Sequence, residues 1–177
     1  MIITIAGKAG SGKSTIARGI ARKLNLKHYS SGDFMRGMAK EKGISLAELG
    51  KIAEKDESID KEIDERQKKL GKEEDDFVID GRLSAFFIPK ADFKIFLDCD
   101  DEVRAKRILG DDRGTENTND IKETEEKIKK REDSEAKRYK EYYGFDYCDK
   151  NNYTVLIDTT ELTPEQIVEK ILKLVNN

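Results

Sequence analysis

The chain begins with a β-branched apolar run, Ile2-Ile3-Thr4-Ile5-Ala6. It empties into Gly7-Lys8-Ala9-Gly10-Ser11-Gly12-Lys13-Ser14-Thr15. Ile16, Ile20 and Leu24 then recur at helical spacing, with Ala17 and Ala21 beside them. The run reads as a buried strand and the stretch after the loop as an amphipathic helix. A glycine, four residues and then Gly-Lys-Ser, held between strand and helix, form a phosphate-binding loop in the context that gives the pattern its meaning. Three glycines free the backbone for a tight turn whose amides can cradle phosphate, and the helix N-terminus adds unpaired N–H groups and partial positive charge. In such a loop Lys13 reaches the β- and γ-phosphates, Ser14 offers a hydroxyl to Mg²⁺, and Thr15 lies next to the α-phosphate. The residues Gly7 to Thr15 are therefore expected to bind the phosphates of a nucleotide.

The remaining elements alternate. Lys27-His28-Tyr29-Ser30 is short enough for an edge strand, and the single histidine, His28, reads as a strand residue without catalytic duty. Ser30-Ser31-Gly32-Asp33-Phe34-Met35-Arg36 opens a helix that stops at Gly43, and Ser45 with Glu48 is a capping box for another. Ser58 is the expected N-cap of a third, with Ile59, Ile63, Arg66 and Leu70 on one stripe and Gly71 at its end. Three polar helices in a row exceed a plain βαβ crossover and predict a small helical insertion. Strands follow at Phe77–Asp80, Phe93–Asp98 and Tyr153–Asp158, and helices at about 101–109 and 120–142. Thr163-Pro164-Glu165-Gln166 starts a closing helix with an N-cap, a proline at N1 and a capping-box glutamine. This order implies about five parallel strands with helices on both faces.

Composition narrows the partners. Lys and Arg number 34 against 37 Asp and Glu, a formal charge of −3, so no net basic field argues for nucleic acid. Charged residues make up 40% of the chain, and no apolar stretch reaches membrane-spanning length. Cys99 and Cys148 stand apart in no metal-like spacing, as expected for reduced thiols. A cytoplasmic protein, monomeric, free of membrane and nucleic acid, is the expectation.

A phosphate loop names a nucleotide, not a reaction; the arginines narrow it. Moving a phosphoryl group to a second anion requires several guanidiniums besides Lys13, to align two phosphates and neutralise the charge between them. Arg36 follows a Ser-Gly-Asp turn, Arg82 follows a strand end, and Arg131 and Arg138 lie on the long helix. Asp80 and Asp98 each end an apolar strand, and either strand could lie beside the first. Both therefore compete to order Mg²⁺-bound water.

Ser30 to Arg36, Arg66-Gln67, Asp80-Gly81-Arg82 and Arg131-Glu132-Asp133-Ser134-Glu135-Ala136-Lys137-Arg138-Tyr139, together with the phosphate loop, make nearly the whole chain similar to a cytidylate kinase. The short archaeal type of the nucleoside monophosphate kinase superfamily is the nearest likeness. The resemblance implies a three-layer α/β phosphate-loop NTPase fold and a kinase transferring the γ-phosphoryl group of ATP to CMP or dCMP, with Mg²⁺. An AMP or UMP kinase and a non-enzymatic ATP-binding module are the alternatives. It implies that Arg36, Arg82, Arg131 and Arg138 grip the acceptor and transferring phosphates. Ser31, Arg66 and Glu135 would meet cytosine and ribose beside Asp80 and Gly81, while Arg107 and Arg113 would lie near ATP. It favours Asp80 over Asp98 for the metal-bound water. Residues 31–72 would form the acceptor-binding helical insertion and residues 110–119 a short lid, within one domain of residues 1–177. Leu83 replaces an acidic residue that bacterial members carry, so one polar contact expected near the acceptor is absent.

Overall fold

A computed structural model of the chain describes residues 1–110 and 121–176. Five parallel strands form one sheet in the order β2-β3-β1-β4-β5. They are β1 (Ile2–Gly7), β2 (Lys27–Ser30), β3 (Phe77–Asp80), β4 (Phe93–Asp98) and β5 (Val155–Asp158). The helices are α1 (Lys13–Leu24), α2 (Ser31–Glu41), α3 (Leu46–Ala53), α4 (Ser58–Glu73), α5 (Ser84–Phe87), α6 (Asp101–Leu109), α7 (Ile121–Tyr143) and α8 (Pro164–Val175). The fold agrees with the three-layer expectation. The lid expected at 110–119, with its Arg113, lies outside the described residues apart from Gly110.

The central strand β1 is buried along its whole length because β3 and β4 flank it. Its alternate residues serve two cores. Ile3 and Ile5 join Val78, Ile95, Leu97 and Ile157 against α1 and α8. On the other face Ile2 packs with Phe77, Ile79, Ile88 and Leu70, and Ala6 with Phe96, Ala85 and Tyr153. Helices α1 and α8 approach so closely at Gly19 that a Cβ there would stand 2.8 Å from Val168 Cγ2. Helices α2, α3 and α4 carry a separate small core of Met38, Ala39, Leu49, Ala53, Ile59 and Ile63. These three helices are thus held together by their own apolar contacts.

The caps follow the sequence with two differences. Ser45 with Glu48 and Thr163 with Gln166 form capping boxes, and Gly43 takes φ +66 just past α2. Ser58, however, is the first helical residue of α4, and its N–H is received by Asp56 Oδ1 at 2.9 Å. Gly71 does not end α4, which continues to Glu73. A Cβ at Gly71 would stand 3.0 Å from Ile88 Cγ1, so the glycine serves helix packing rather than termination.

Candidate active site

The site is assembled at the carboxyl ends of the strands, where strand parity decides which side chains meet. On β3, Phe77 and Ile79 face one core, so Val78 and Asp80 face the side covered by α1. Asp80 therefore meets Ser14 at the start of α1, and Ser14 Oγ donates to Asp80 Oδ2 at 2.8 Å. Edge strand β2 pairs His28 with Val78 and Ser30 with Asp80, which brings His28 and Ser30 to the same face. Ser30 Oγ donates to Asp80 Oδ2 at 3.0 Å, and His28 Nε2 lies 2.8 Å from Asp80 Oδ1. Burial works to raise the Asp80 pKa, but the hydrogen bonds of His28 and Ser14, helped by the Lys13 charge, hold it below its ordinary value.

On β4 the parity is opposite. Ile95 and Leu97 face α1, so Asp98 falls on the other side with Phe96. Asp98 receives Lys150 Nζ at 2.7 Å and the Cys99 N–H at 3.1 Å and takes no part in the Ser14 cluster.

The loop has the expected strained glycines. Gly10 and Gly12 take φ +77 and +91, the left-handed region that side chains avoid. Lys13 Nζ folds back on the Lys8 carbonyl at 2.7 Å. Loss of hydration, then repulsion from Arg82, lowers the Lys13 pKa to about 7 despite Asp80, Glu132 and Glu135. A lysine so placed gains its charge fully when an anion arrives. The loop amides are not all turned inward: the Ala9 N–H donates to Glu132 Oε1 at 2.9 Å.

A cleft of about 540 Å³ runs across this loop. One end is lined by Arg107, Ile108, Leu162 and Pro164, the other by Ser31, Arg36, Leu46, Arg82 and Arg131. Arg107 is anchored by Nη2 on the Thr159 carbonyl at 2.7 Å. Arg82 is nearly enclosed and stacks its guanidinium 5.6 Å from the Tyr147 ring centre. Glu135 stands between two arginines, receiving Arg131 Nε at 3.1 Å and facing Arg82 Nη2 at 2.9 Å. The second approach has ion-pair distance without hydrogen-bond alignment, and Arg82 Nε and Glu135 Oε2 remain buried without a hydrogen-bond partner. Burial opposes ionisation of Glu135, but Arg82 foremost, with Arg131 and Arg138, keeps its pKa low.

Lys13, Ser14, Ser31, Arg36, Asp80, Gly81, Arg82, Arg107 and Arg131 thus converge on one cleft. Arg66, Glu135 and Arg138 do not line it. Arg66 is on the solvent side of α4, donating to Glu62 Oε1 at 2.7 Å, while its neighbour Gln67 is buried and receives Ser84 Oγ at 2.8 Å. Arg138 Nε donates to buried Asp60 Oδ2 at 2.8 Å, across the seam between α7 and the insertion. Tyr143 to Asp64, and Ser134 to Glu54 at 2.8 Å, cross the same seam. Leu83 is buried, so the missing acidic residue leaves an apolar position.

Residues 2–161 match the model of the cytidylate kinase-like family. The chain belongs to that family. It is 40% identical over 172 residues to a cytidylate kinase of Methanobrevibacter smithii, covering 97% of this chain and 96% of the relative. It is 41% identical over 165 residues to one of Methanothermobacter thermautotrophicus, covering 93% and 99%. Among solved structures, a shikimate kinase from Bacteroides thetaiotaomicron superposes over 100% of this chain and 99% of its own with a TM-score of 0.73 at 16% identity, a likeness of fold.

Membership in a kinase family does not by itself identify the supports of the loop and the strand ends. His28, Tyr147, Arg104, Glu132 and Asp60 were not among the residues expected from sequence. His28 had a signal, two positions before Ser30 on a strand ending beside Asp80. The others depend on how α6, α7 and the insertion pack, which no local spacing encodes.

Proposed function

We propose that this protein is a nucleoside monophosphate kinase that transfers the γ-phosphoryl group of ATP to CMP or dCMP, giving ADP and CDP or dCDP. The convergence of the phosphate loop with Arg36, Arg82 and Arg131 in one cleft carries this reading, on a chain whose family is cytidylate kinase-like. ATP lies along the loop with its base toward Arg107, Leu162 and Pro164. The acceptor lies toward Ser31, Arg36 and Arg82. Arg66 and Arg138 complete the grip only if the insertion and α7 shift, since both are otherwise engaged.

The acceptor phosphate is already anionic, so transfer needs no general base. Catalysis rests on alignment of two phosphates and on neutralising their charge with Lys13 and the arginines. The hydroxyl of Ser14 and the carboxylate of Asp80 are hard oxygen donors 2.8 Å apart and suit Mg²⁺, with Asp80 acting through water. Held there, Mg²⁺ would supply neutralisation of the charge on the phosphates. Among the described residues no helix is long and apolar enough to cross a membrane. We read the enzyme as a cytoplasmic monomer that does not bind nucleic acid.

ADP release measured against CMP, dCMP, UMP, AMP and GMP tests the reading. Release strongest with CMP or dCMP is expected. Equal release without any acceptor would make the protein an ATPase, and strongest release with UMP or AMP would move the acceptor class.

A further inference from the structure

The peptide of Ala9, inside the phosphate loop, is held on both sides by a buried ion pair from two other elements. Its N–H donates to Glu132 Oε1 of α7 at 2.9 Å, and its carbonyl accepts from Arg104 Nη1 of α6 at 2.8 Å. Arg104 Nη1 also donates to Glu132 Oε1 at 2.9 Å, which closes a ring of three hydrogen bonds around one peptide. The remaining donors of Arg104 are spent as well. Nε and Nη2 reach Asp101 Oδ1 at 3.2 and 2.6 Å, and Nη2 reaches Glu132 Oε2 at 3.4 Å. Arg104 is 3% exposed.

A guanidinium has five N–H donors in a fixed fork. Every one is occupied here, so Arg104 has none left for a nucleotide phosphate. The Ala9 amide is likewise committed to Glu132. Neither group therefore acts by touching ATP, and both act on the loop that does. The next residue shows how little the loop can yield. Gly10 is at φ +77, and a Cβ there would stand 2.6 Å from the Arg104 carbonyl oxygen. The α6 backbone thus abuts the loop at a glycine whose path is constrained. An unpaired carboxylate at Glu132 would repel ATP; its pairing with Arg104 offsets part of that charge.

We propose that Arg104 and Glu132 are positioning residues for ATP: by fixing the Ala9 peptide they set the shape of the phosphate loop, and so the affinity for ATP, without touching the acceptor end of the cleft. The inference rests on the assignment of the loop to ATP made above.

Calorimetric titration of Glu132→Ala, Glu132→Gln and Arg104→Lys with AMP-PNP, and separately with CMP, tests it without turnover. Glu132→Ala leaves the Ala9 amide and Arg104 without their acceptor and is expected to weaken AMP-PNP binding at least tenfold, about 1.4 kcal/mol. Arg104→Lys, which cannot fill the fork, should do the same. Glu132→Gln keeps one acceptor oxygen for Ala9 and should stay within about threefold, while Kd for CMP should stay within about twofold throughout. A Glu132→Ala protein that binds AMP-PNP as tightly as the parent overturns the inference. So does a parallel loss of both ligands, with or without unfolding, which would make the pair a support of the whole fold. A parent protein that binds CMP but not AMP-PNP would instead overturn the assignment of the loop, and the inference with it.

Discussion

His28 Nε2 stands 2.8 Å from Asp80 Oδ1, on the side of the carboxylate opposite Ser14, whose Oγ reaches Oδ2 at 2.8 Å. The two contacts fix both oxygens, and with them the direction Asp80 presents toward the start of α1. His28→Ala should free one oxygen and loosen that direction. A lost hydrogen bond to a charged group is worth roughly 1.5–3 kcal/mol, so a fall in kcat of about 10- to 10²-fold is expected if the whole loss falls on the transition state. The Mg²⁺ concentration for half-maximal rate should rise with it. Kinetics over a Mg²⁺ series decides the matter; an unchanged half-saturation point would leave His28 as a strand residue only.

Most of this architecture is legible in the chain because each element carries its own signal. The phosphate loop, the capping boxes at Ser45 and Thr163 and the Pro164 start all stand where local chemistry puts them. The choice between Asp80 and Asp98 was not legible from strand ends alone, since both strands flank β1. Parity separates them and supports the proposal for Asp80: it shares its face with Val78 and Asp98 with Phe96, and only the first face meets α1. Contacts made across helix seams, such as Arg138 with Asp60 and Arg104 with Glu132, join residues 78 and 28 positions apart and leave no local pattern.

Lys13 gives a pH prediction with a definite sign. Its pKa is about 7 in the free protein, and phosphate oxygens beside Nζ would raise it. Between the two values the complex holds more protons than the free protein, so ATP binding takes up protons above pH 7. Affinity should fall as pH rises through that window. Titration at pH 8 in buffers of different ionisation enthalpy should show uptake of a fraction of a proton, which vanishes near pH 6. Lys13→Met should lose the uptake together with transfer while keeping the fold. Uptake that survives in Lys13→Met would assign the proton to another group.

Asp64 should weigh on stability in the opposite pH range. It is 3% exposed and accepts a hydrogen bond from the Tyr143 hydroxyl. Burial raises its pKa to about 7; the Tyr143 hydrogen bond works against the shift and the Asp60 charge adds to it. The folded state thus binds more protons than the unfolded between about pH 4 and 7, and stability is lost as pH rises through that window. Asp64→Asn keeps an acceptor for Tyr143 and removes the charge. Its melting temperature should approach the parent's near pH 4 and exceed it at pH 8, each 1 kcal/mol being worth about 2–4 °C in a chain of this size. Parallel melting curves at both pH values would show that Asp64 carries no such burden.

Arg131 and Arg138 lie seven residues apart on one face of α7, yet their surroundings predict different failures. The Arg131 side chain is 46% exposed and shares Glu135 with Arg82, so its removal leaves Glu135 still paired. Arg131→Ala should keep its melting temperature, as removal of an exposed ion-pair partner usually does. Its kcat should fall about 10²-fold, roughly 3 kcal/mol, because a guanidinium at the cleft is lost from the transferring phosphates. Arg138 is buried against Asp60, with Nη1 on Ser134 Oγ at 2.7 Å. Arg138→Ala strands the Asp60 carboxylate in the seam between α7 and the insertion, where an orphaned buried charge costs about 3–5 kcal/mol. Its activity and its melting temperature should therefore fall together. The double variant Asp60→Asn with Arg138→Ala separates the two roles. It should recover most of the stability, since no charge is left unpaired, and recover none of the rate if Arg138 also grips phosphate in the closed complex. A double variant restored in both would confine Arg138 to the seam and leave Arg36, Arg82 and Arg131 as the phosphate-gripping arginines.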